Sequence, residues 1–158
     1  MPKVSVLIPV YNTAPYLEDA IGSILSQTFR DFELIAVDDG STDGSRAILE
    51  ALAMRDRRVR LLPLSRNGGI VGALNAGLEL CAGEYVARMD GDDLAHPERL
   101  RLQLEFLDAH PDHVACGSDL WMFGARRWYV RYPRIDHECK SLLALFPCLP
   151  HNAVTLRH

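Results

Sequence analysis

At 158 residues the chain has the length of one domain with room for a substantial core. Its 48% hydrophobic and 24% charged residues are those of an ordinary globular protein, and no apolar run approaches the ~20 residues that cross a bilayer. A net charge of −4 speaks against a general nucleic-acid binder. Cys81, Cys116, Cys139 and Cys148 form no CxxC, and the six histidines show no zinc spacing, which predicts reduced, mostly buried thiols in a cytosolic protein. Met1-Pro2-Lys3-Val4 runs straight into a strand-like segment with no cleavage-site pattern, which points away from secretion.

The first half alternates strand and helix. Val4 to Val10 is a near-continuous apolar run, as a parallel strand covered on both faces requires. Leu17, Ala20, Ile21, Ile24 and Leu25 recur at helical spacing, with Glu18 and Asp19 near the helix start. Phe32 to Val37 predicts a second strand. Asp43 to Arg55 predicts a helix with Ala47, Ile48, Ala51 and Leu52 on one face. Val59 to Leu64 is a third strand, Gly69 to Leu80 a third helix stopped by Gly83, and Tyr85 to Met89 a fourth strand. This order predicts a mostly parallel sheet with right-handed crossovers, the Rossmann-like half of an α/β fold.

Beyond residue 93 the pattern changes. Pro97 opens a helix carrying Leu100, Leu104 and Leu107, and Pro111 ends it. His113 to Met122 predicts one strand. Arg126 to Tyr132 alternates, with Trp128, Val130 and Tyr132 on one side and Arg127, Tyr129 and Arg131 on the other. A sheet with one buried face produces that alternation. Contact with an anionic acceptor or a membrane surface is the alternative, and the mix of basic and aromatic residues is also found in single-strand nucleic-acid binders. Asp136 to Phe146 predicts a helix and Asn152 to Arg157 a short final strand. No repeat, low-complexity stretch or linker is evident.

Four polar clusters follow the four strands. They are Pro9-Val10-Tyr11-Asn12, Asp38-Asp39-Gly40-Ser41-Thr42-Asp43, Arg66-Asn67-Gly68-Gly69 and Asp90-Gly91-Asp92-Asp93. Parallel strands share one direction, so all four clusters fall on one rim, outside the carboxyl ends of the strands where α/β sheets bind ligands. Three carboxylates within four residues repel unless a cation or donor-rich ligand offsets them. Hard oxygen ligands suit Mg²⁺ or Mn²⁺ bridged to substrate phosphates; a solvated turn capping the next helix is the plainer alternative. Tyr11 could stack on a flat ring or pack as an ordinary aromatic. Of Asp38 and Asp39, one is expected to cap the next helix, with Ser41 and Asp43 also suited to that role. The other would be left to accept a hydrogen bond from a base or sugar. Gly68-Gly69 could present N–H groups to an anion or make a tight turn. No GxGxxG follows the first strand and no GxxxxGK[ST] occurs, which disfavours a dinucleotide oxidoreductase or a P-loop NTPase.

Taken in order, these residues resemble the family 2 glycosyltransferases of GT-A fold. The resemblance runs through Val6-Leu7-Ile8-Pro9-Val10-Tyr11-Asn12, Ser23-Ile24-Leu25-Ser26-Gln27-Thr28 with Phe32-Glu33-Leu34, and Val37-Asp38-Asp39-Gly40-Ser41-Thr42-Asp43. It continues through Asn67-Gly68-Gly69 with Ala73-Leu74-Asn75-Ala76-Gly77, then Gly83-Glu84-Tyr85, Asp90-Gly91-Asp92-Asp93 and Pro97 with Arg99-Leu100. Any one motif is weak; the ordered set covers about the first two-thirds of the chain and is specific. The resemblance implies an α/β, Rossmann-like GT-A fold with a smaller mixed acceptor-side portion. Residues 1–93 would be the nucleotide-sugar-binding half ending in the DxD loop, and 94–158 the start of the acceptor side.

It also implies a nucleotide-diphospho-sugar donor, UDP-sugar favoured, and inverting transfer to a hydroxyl of a saccharide or lipid-linked acceptor. Pro9 and Tyr11 would line the base pocket and Asp39 would accept from the uracil N–H. Asn67 and Gly91 would belong to the nucleotide site. Asp90 would lie near the ribose and the metal, Asp92 would ligate Mn²⁺ or Mg²⁺, and Asp93 would support it from behind. An inverting transferase needs a general base, which the family carries in an acidic motif downstream of the DxD. Pro150-His151-Asn152-Ala153-Val154 resembles the strand before that motif, and Asp119, Asp136 and Glu138 lack its context. No catalytic base is therefore identifiable, and one is expected beyond His158. Alternatives are a non-catalytic nucleotide-sugar-binding fragment and, ranked lower for want of a Gly-rich basic loop after the first strand, a sugar nucleotidyltransferase. No nucleic-acid partner is expected. The location expected is cytoplasmic, with peripheral contact at the inner membrane face left open.

Overall fold

Strand β1 (Val4–Val10) occupies the middle of the parallel strands because it is apolar on both faces. Val4, Val6, Ile8 and Val10 enter one core and Leu7 the other, the period-two split of a strand covered on both sides. The structure, a computed structural model, describes residues 1–142 and 148–158. Strands β2 (Phe32–Asp38), β3 (Val59–Pro63) and β4 (Tyr85–Arg88) are parallel to β1 in the order β3-β2-β1-β4. The register pairs Val4 with Phe32 and Val10 with Asp38 on one side, and Leu7 with Arg88 on the other. The mostly parallel α/β sheet expected from the sequence is thus present.

The helices take opposite faces for a topological reason. Helices α1 (Ala14–Leu25) and α2 (Ser45–Arg55) connect strands as the chain steps outward from β1 to β3. They pack Leu17, Ile21, Ile24 and Leu49 into the larger core. Helix α3 (Gly69–Leu78) carries the chain back across to β4, so right-handed connection requires the other face. There Ala73 and Leu74 meet Leu7, Ile35 and Val37. Gly77 permits the approach: a Cβ there would stand 2.3 Å from Leu7 Cδ1 and 2.8 Å from Val37 Cγ2. The direction reverses between β1 and β4, which makes the rim beside them the topological switch point.

Helix α4 (Arg99–Ala109) joins the larger core through Leu100, Leu104 and Leu107. Pro97 therefore lies two residues before the helix, and α2 begins at Ser45 where the sequence pattern suggests Asp43. Because α1 begins at Ala14, Glu18 and Asp19 fall beyond the first turn, where the helix dipole has little reach. The expected strand from His113 to Met122 is two strands: β5 (Ala115–Cys116) joins the main sheet, and β6 (Leu120–Met122) pairs with β7 (Trp128–Val130) in a separate hairpin. Of the expected helix from Asp136, α5 covers Asp136–Leu142; residues 143–147 lie outside the described residues. The final strand β8 (Thr155–Arg157) follows a 3₁₀ turn at His151–Ala153 and inserts antiparallel between β4 and β5. The thiols are less buried than expected, since only Cys148 is fully covered.

Candidate functional site

Each polar cluster owes its place to a strand end, and backbone hydrogen bonds stitch the clusters together. Asp39 N–H donates to Val10 O at 2.8 Å, which continues the β1–β2 ladder one residue past the strands. Asn12 sits in the left-handed region at φ 53°, a conformation Asn tolerates. Its side-chain oxygen accepts from Thr42 N at 2.8 Å and from Asp43 N at 3.3 Å. In return Ser45 Oγ accepts from Thr13 N and Asp43 Oδ2 from Ala14 N, so side chains after β2 satisfy the first donors of α1. Gly40, at φ +69°, lies against the loop after β3, where a Cβ would come within 2.7 Å of Arg66 C and Asn67 N. Three of the four clusters are therefore one connected unit.

The two acids after β2 have separate tasks. Asp38 is completely buried; it accepts from Ser41 N at 3.0 Å and pairs with Arg46 Nε at 2.6 Å. Arg46 also donates to Leu64 O at 2.9 Å, so Asp38 holds the loop and helix α2 together. Asp39 accepts from Gly68 N at 2.8 Å through Oδ1 and has no other side-chain partner among the described residues. Its carboxylate opens into a groove of about 240 Å³. That groove brings together Pro9, Tyr11, Asp39, Asn67 and Asp90, five of the residues singled out from sequence. Tyr11 is half exposed at its mouth. The Gly68-Gly69 turn offers no anion cradle: Gly68 N–H is held by Asp39, and Gly69 N–H donates to Asn67 Oδ1 at 3.0 Å. A wider depression of about 510 Å³ lies beyond the Gly40–Asp43 loop, lined by Arg46 and Glu50, and Arg46 is already committed to Asp38.

The acidic loop is held from beneath by a cation that ends β4. Arg88, 5% exposed, grips Asp90 with both guanidinium nitrogens, Nη1 to Oδ2 at 2.9 Å and Nη2 to Oδ1. Such fork-to-fork pairing fixes orientation as well as charge. Gly91 is buried against Val10 and Leu17, with Thr13 Oγ1 3.0 Å from where a Cβ would lie. Asp93 is partly buried and accepts from Asn152 Nδ2. Burial pushes its carboxyl above the usual carboxylate range, and the nearby charges of Asp90 and Asp92 add to that effect. Asp92 is exposed and makes no hydrogen bond or ion pair among the described residues. Beneath the loop, buried Arg99 donates to Arg88 O at 2.7 Å and to Gln103 Oε1 at 3.2 Å; burial lowers its pKa to about 10. Gln103 in turn donates to Ala153 O and accepts from Thr155 Oγ1 at 2.6 Å, tying α4 to β8.

The acidic loop leaves one carboxylate open to a divalent cation. Among the described residues no three His, Cys, Asp or Glu side chains converge as a complete metal cage. With Asp90 claimed by Arg88 and Asp93 partnered by Asn152, the loop presents Asp92 as its one unpartnered carboxylate. Mg²⁺-type sites commonly take one or two protein carboxylates and complete their shell with substrate phosphate and water. The donor set suits an ion shared with a ligand.

Comparison with known proteins decides the family. The sequence profile of Glycosyl transferase family 2 matches residues 5–152. The chain belongs to that family. The putative glycosyltransferase EpsE of Bacillus subtilis is 40% identical over 123 residues, 77% of this chain and 44% of the relative. Glycosyltransferase GlyG of Streptococcus pneumoniae is 42% identical over 109 residues, 67% of this chain and 36% of the relative. The chain thus spans less than half the length of these family members. Among solved structures, the mannosyltransferase PcManGT from Pyrobaculum calidifontis, in complex with GDP-Man and Mn²⁺, has a TM-score of 0.75 at 23% identity. The match covers 99% of this chain and 44% of that one and shows the shared GT-A fold. S. aureus TarS 1-349 in complex with UDP-GlcNAc has a TM-score of 0.64 at 34% identity, covering 69% of this chain and 32% of that one.

Two site residues of this family member were given no role in the site from its sequence. Arg88 read as part of a strand, yet a lone cation inside the apolar run Tyr85–Met89, two residues before Asp90 on the same pleat, was the available signal. Asn152 stood within the Pro150–Val154 segment that resembles the family, but nothing local marked its link to Asp93, 59 residues away.

Proposed function

We propose that the chain is the donor-binding portion of an inverting glycosyltransferase that holds a nucleotide-diphospho-sugar, a UDP-sugar by preference, with Mg²⁺ or Mn²⁺. The observation that carries this reading is the groove where Pro9, Tyr11, Asp39, Asn67 and Asp90 meet, with Asp92, unpartnered among the described residues, two positions after Asp90. Its volume of about 240 Å³ is below the roughly 300–1,000 Å³ of pockets that enclose a whole ligand. It suits a base and ribose, leaving the diphosphate on the surface beside Asp92. The preference for uracil draws on the TarS complexes with UDP and UDP-GlcNAc, at 33–34% identity.

In this reading Tyr11 and Pro9 flank the base, and the free oxygen of Asp39 accepts from the uracil ring N–H. Asp90, oriented by Arg88, faces the ribose. Asp92 would hold the cation, which supplies Lewis-acid stabilisation of the charge developing on the diphosphate. The acceptor hydroxyl oxygen bonds to the anomeric carbon from the face opposite the diphosphate. The bond from that carbon to phosphate oxygen breaks, and the hydroxyl proton passes to a general base. No carboxylate among the described residues is assigned that role. The acceptor in this reading is a saccharide or a lipid-linked one.

Calorimetric titration with UDP in the presence and absence of Mn²⁺ tests the donor site. Metal-dependent binding that Asp92→Asn largely removes supports it; absent or metal-independent binding overturns it. Slow hydrolysis of a UDP-sugar by the same preparation would separate a residual enzyme from a silent holder of the donor.

A further inference from the structure

The hairpin β6–β7 stands outside the main sheet and outside the donor site. Its register sets Trp121 opposite Tyr129 and Met122 opposite Trp128, so one face carries Trp121 with Tyr129 and the other Met122 with Trp128. Both faces are open: Trp121 is 61% exposed, Trp128 51% and Tyr129 48%, with Phe123 at the tip also exposed. The sequence alternation suggested one buried face, and among the described residues neither is buried. Asp119 stitches the base by accepting from Tyr129 Oη at 2.6 Å and Tyr132 N at 2.9 Å, so the ribbon is a formed element. Residues 120–135 contain Arg126, Arg127, Arg131 and Arg134 and no Asp or Glu, a local +4 in a chain of net charge −4. Among the described residues Arg126, Arg127 and Arg131 form no ion pair; Arg134 lies 3.7 Å from Asp119. The same stretch has no Ser, Thr, Asn or Gln.

We infer that this hairpin is a docking element for an anionic lipid bilayer, dipping its aromatic tip into the headgroup region with the arginines against lipid phosphates. A flat protein partner would cover one face of the ribbon. A bilayer interface surrounds both, and it is where Trp, Tyr and snorkelling Arg side chains are favoured together. With no Asn, Gln, Ser or Thr in the stretch, only the arginines and the two tyrosine hydroxyls are left to read nucleobase edges, and Tyr129 Oη is already given to Asp119. The charge is complementary to anionic headgroups, to which each juxtamembrane Arg adds about fivefold in affinity. The inference does not depend on the donor site, and either can fail without the other.

Trp121 and Trp128 are the chain's two tryptophans, so tryptophan emission, excited selectively over tyrosine, reports on the hairpin alone. The chain is titrated with vesicles of phosphatidylcholine, with and without phosphatidylglycerol, following emission and co-sedimentation. The expected result is a blue shift and sedimentation with the anionic vesicles, weakened by salt. Arg126→Glu with Arg127→Glu should lower partitioning at least about 25-fold, and Trp128→Ser should lower it without altering the salt dependence. Circular dichroism of both variants should match the parent, since all three side chains are exposed. No partitioning into anionic vesicles, or equal partitioning into both kinds, overturns the inference. It is equally overturned by a lipid-free blue shift that grows with protein concentration, which signals self-association, or by tighter binding to single-stranded DNA than to the vesicles.

Discussion

Asp39→Asn separates recognition of the base from support of the fold. In the structure Asp39 Oδ1 accepts from Gly68 N at 2.8 Å, and an asparagine oxygen can accept the same bond. The loops should stay in place, with loss of the charge-assisted part of that bond costing about 1 kcal/mol of stability. The change falls on the groove, where an acceptor oxygen becomes an NH₂ donor. Facing the uracil ring N–H, the variant loses a hydrogen bond to a charged group worth about 1.5–3 kcal/mol, so UDP should bind about 10- to 150-fold more weakly. Cytosine presents an acceptor at the same ring position. The variant should therefore bind CDP at least as well as the parent does, moving the preference from UDP towards CDP. Isothermal calorimetry with both nucleotides and Mn²⁺ reads the ratio directly. Equal losses for UDP and CDP, or unchanged UDP affinity in a folded variant, would refute the assignment of Asp39 to the base.

Three further outcomes follow from the geometry. Arg88→Lys keeps a buried positive charge but not the two-pronged grip on Asp90; it should weaken UDP binding several-fold and cost roughly 1–3 kcal/mol in urea denaturation. Unchanged affinity would show that Asp90 needs no orienting partner. Gly40→Ala combines φ +69° with a Cβ 2.7 Å from the backbone of Arg66 and Asn67, so a loss of at least about 2 kcal/mol is expected. Because the displaced loops carry Asp39 and Asn67, UDP affinity should fall as well. Glu33 is pushed up by burial, but bonds from Ser5 at 2.7 Å, Ala82 N at 2.8 Å and Arg60 at 2.9 Å hold its carboxyl below the usual glutamate value. Its contribution is thus present above the unfolded-state pKa and lost as pH falls through the lower folded one. Glu33→Gln should flatten that acid limb of the stability curve, measured by thermal melts across the range; an unchanged limb would contradict the assignment.

The parallel half was legible because its physics is local. Val4 to Val10 is apolar on both faces, α1 and α4 repeat leucine and isoleucine at helical spacing, and short joints leave one way to wind the sheet. The rim followed from that order, and the structure gathers Pro9, Tyr11, Asp39, Asn67 and Asp90 in one groove. What was not legible depends on contacts between distant segments. His113 to Met122 has one strand-like pattern, but Ala115 and Cys116 pair with β8 while Leu120 to Met122 pair with β7, and nothing local marks the break. The alternation of Arg126 to Tyr132 was real, yet alternation reports a ribbon, not what covers it. The separate roles of the acidic-loop carboxylates came from the family resemblance and not from their local pattern; in the structure Arg88 beneath Asp90, Asn152 beside Asp93 and the exposure of Asp92 set them apart.

The central claim, that unpartnered Asp92 and the neighbouring groove share one metal–diphosphate site, is tested most directly by electron paramagnetic resonance of Mn²⁺. The free aqueous Mn²⁺ signal should fall when protein and UDP are both present and far less with either alone, and Asp92→Asn should restore it. A signal that falls equally with UDP absent, or that the Asp92→Asn variant quenches as fully as the parent, would contradict the account.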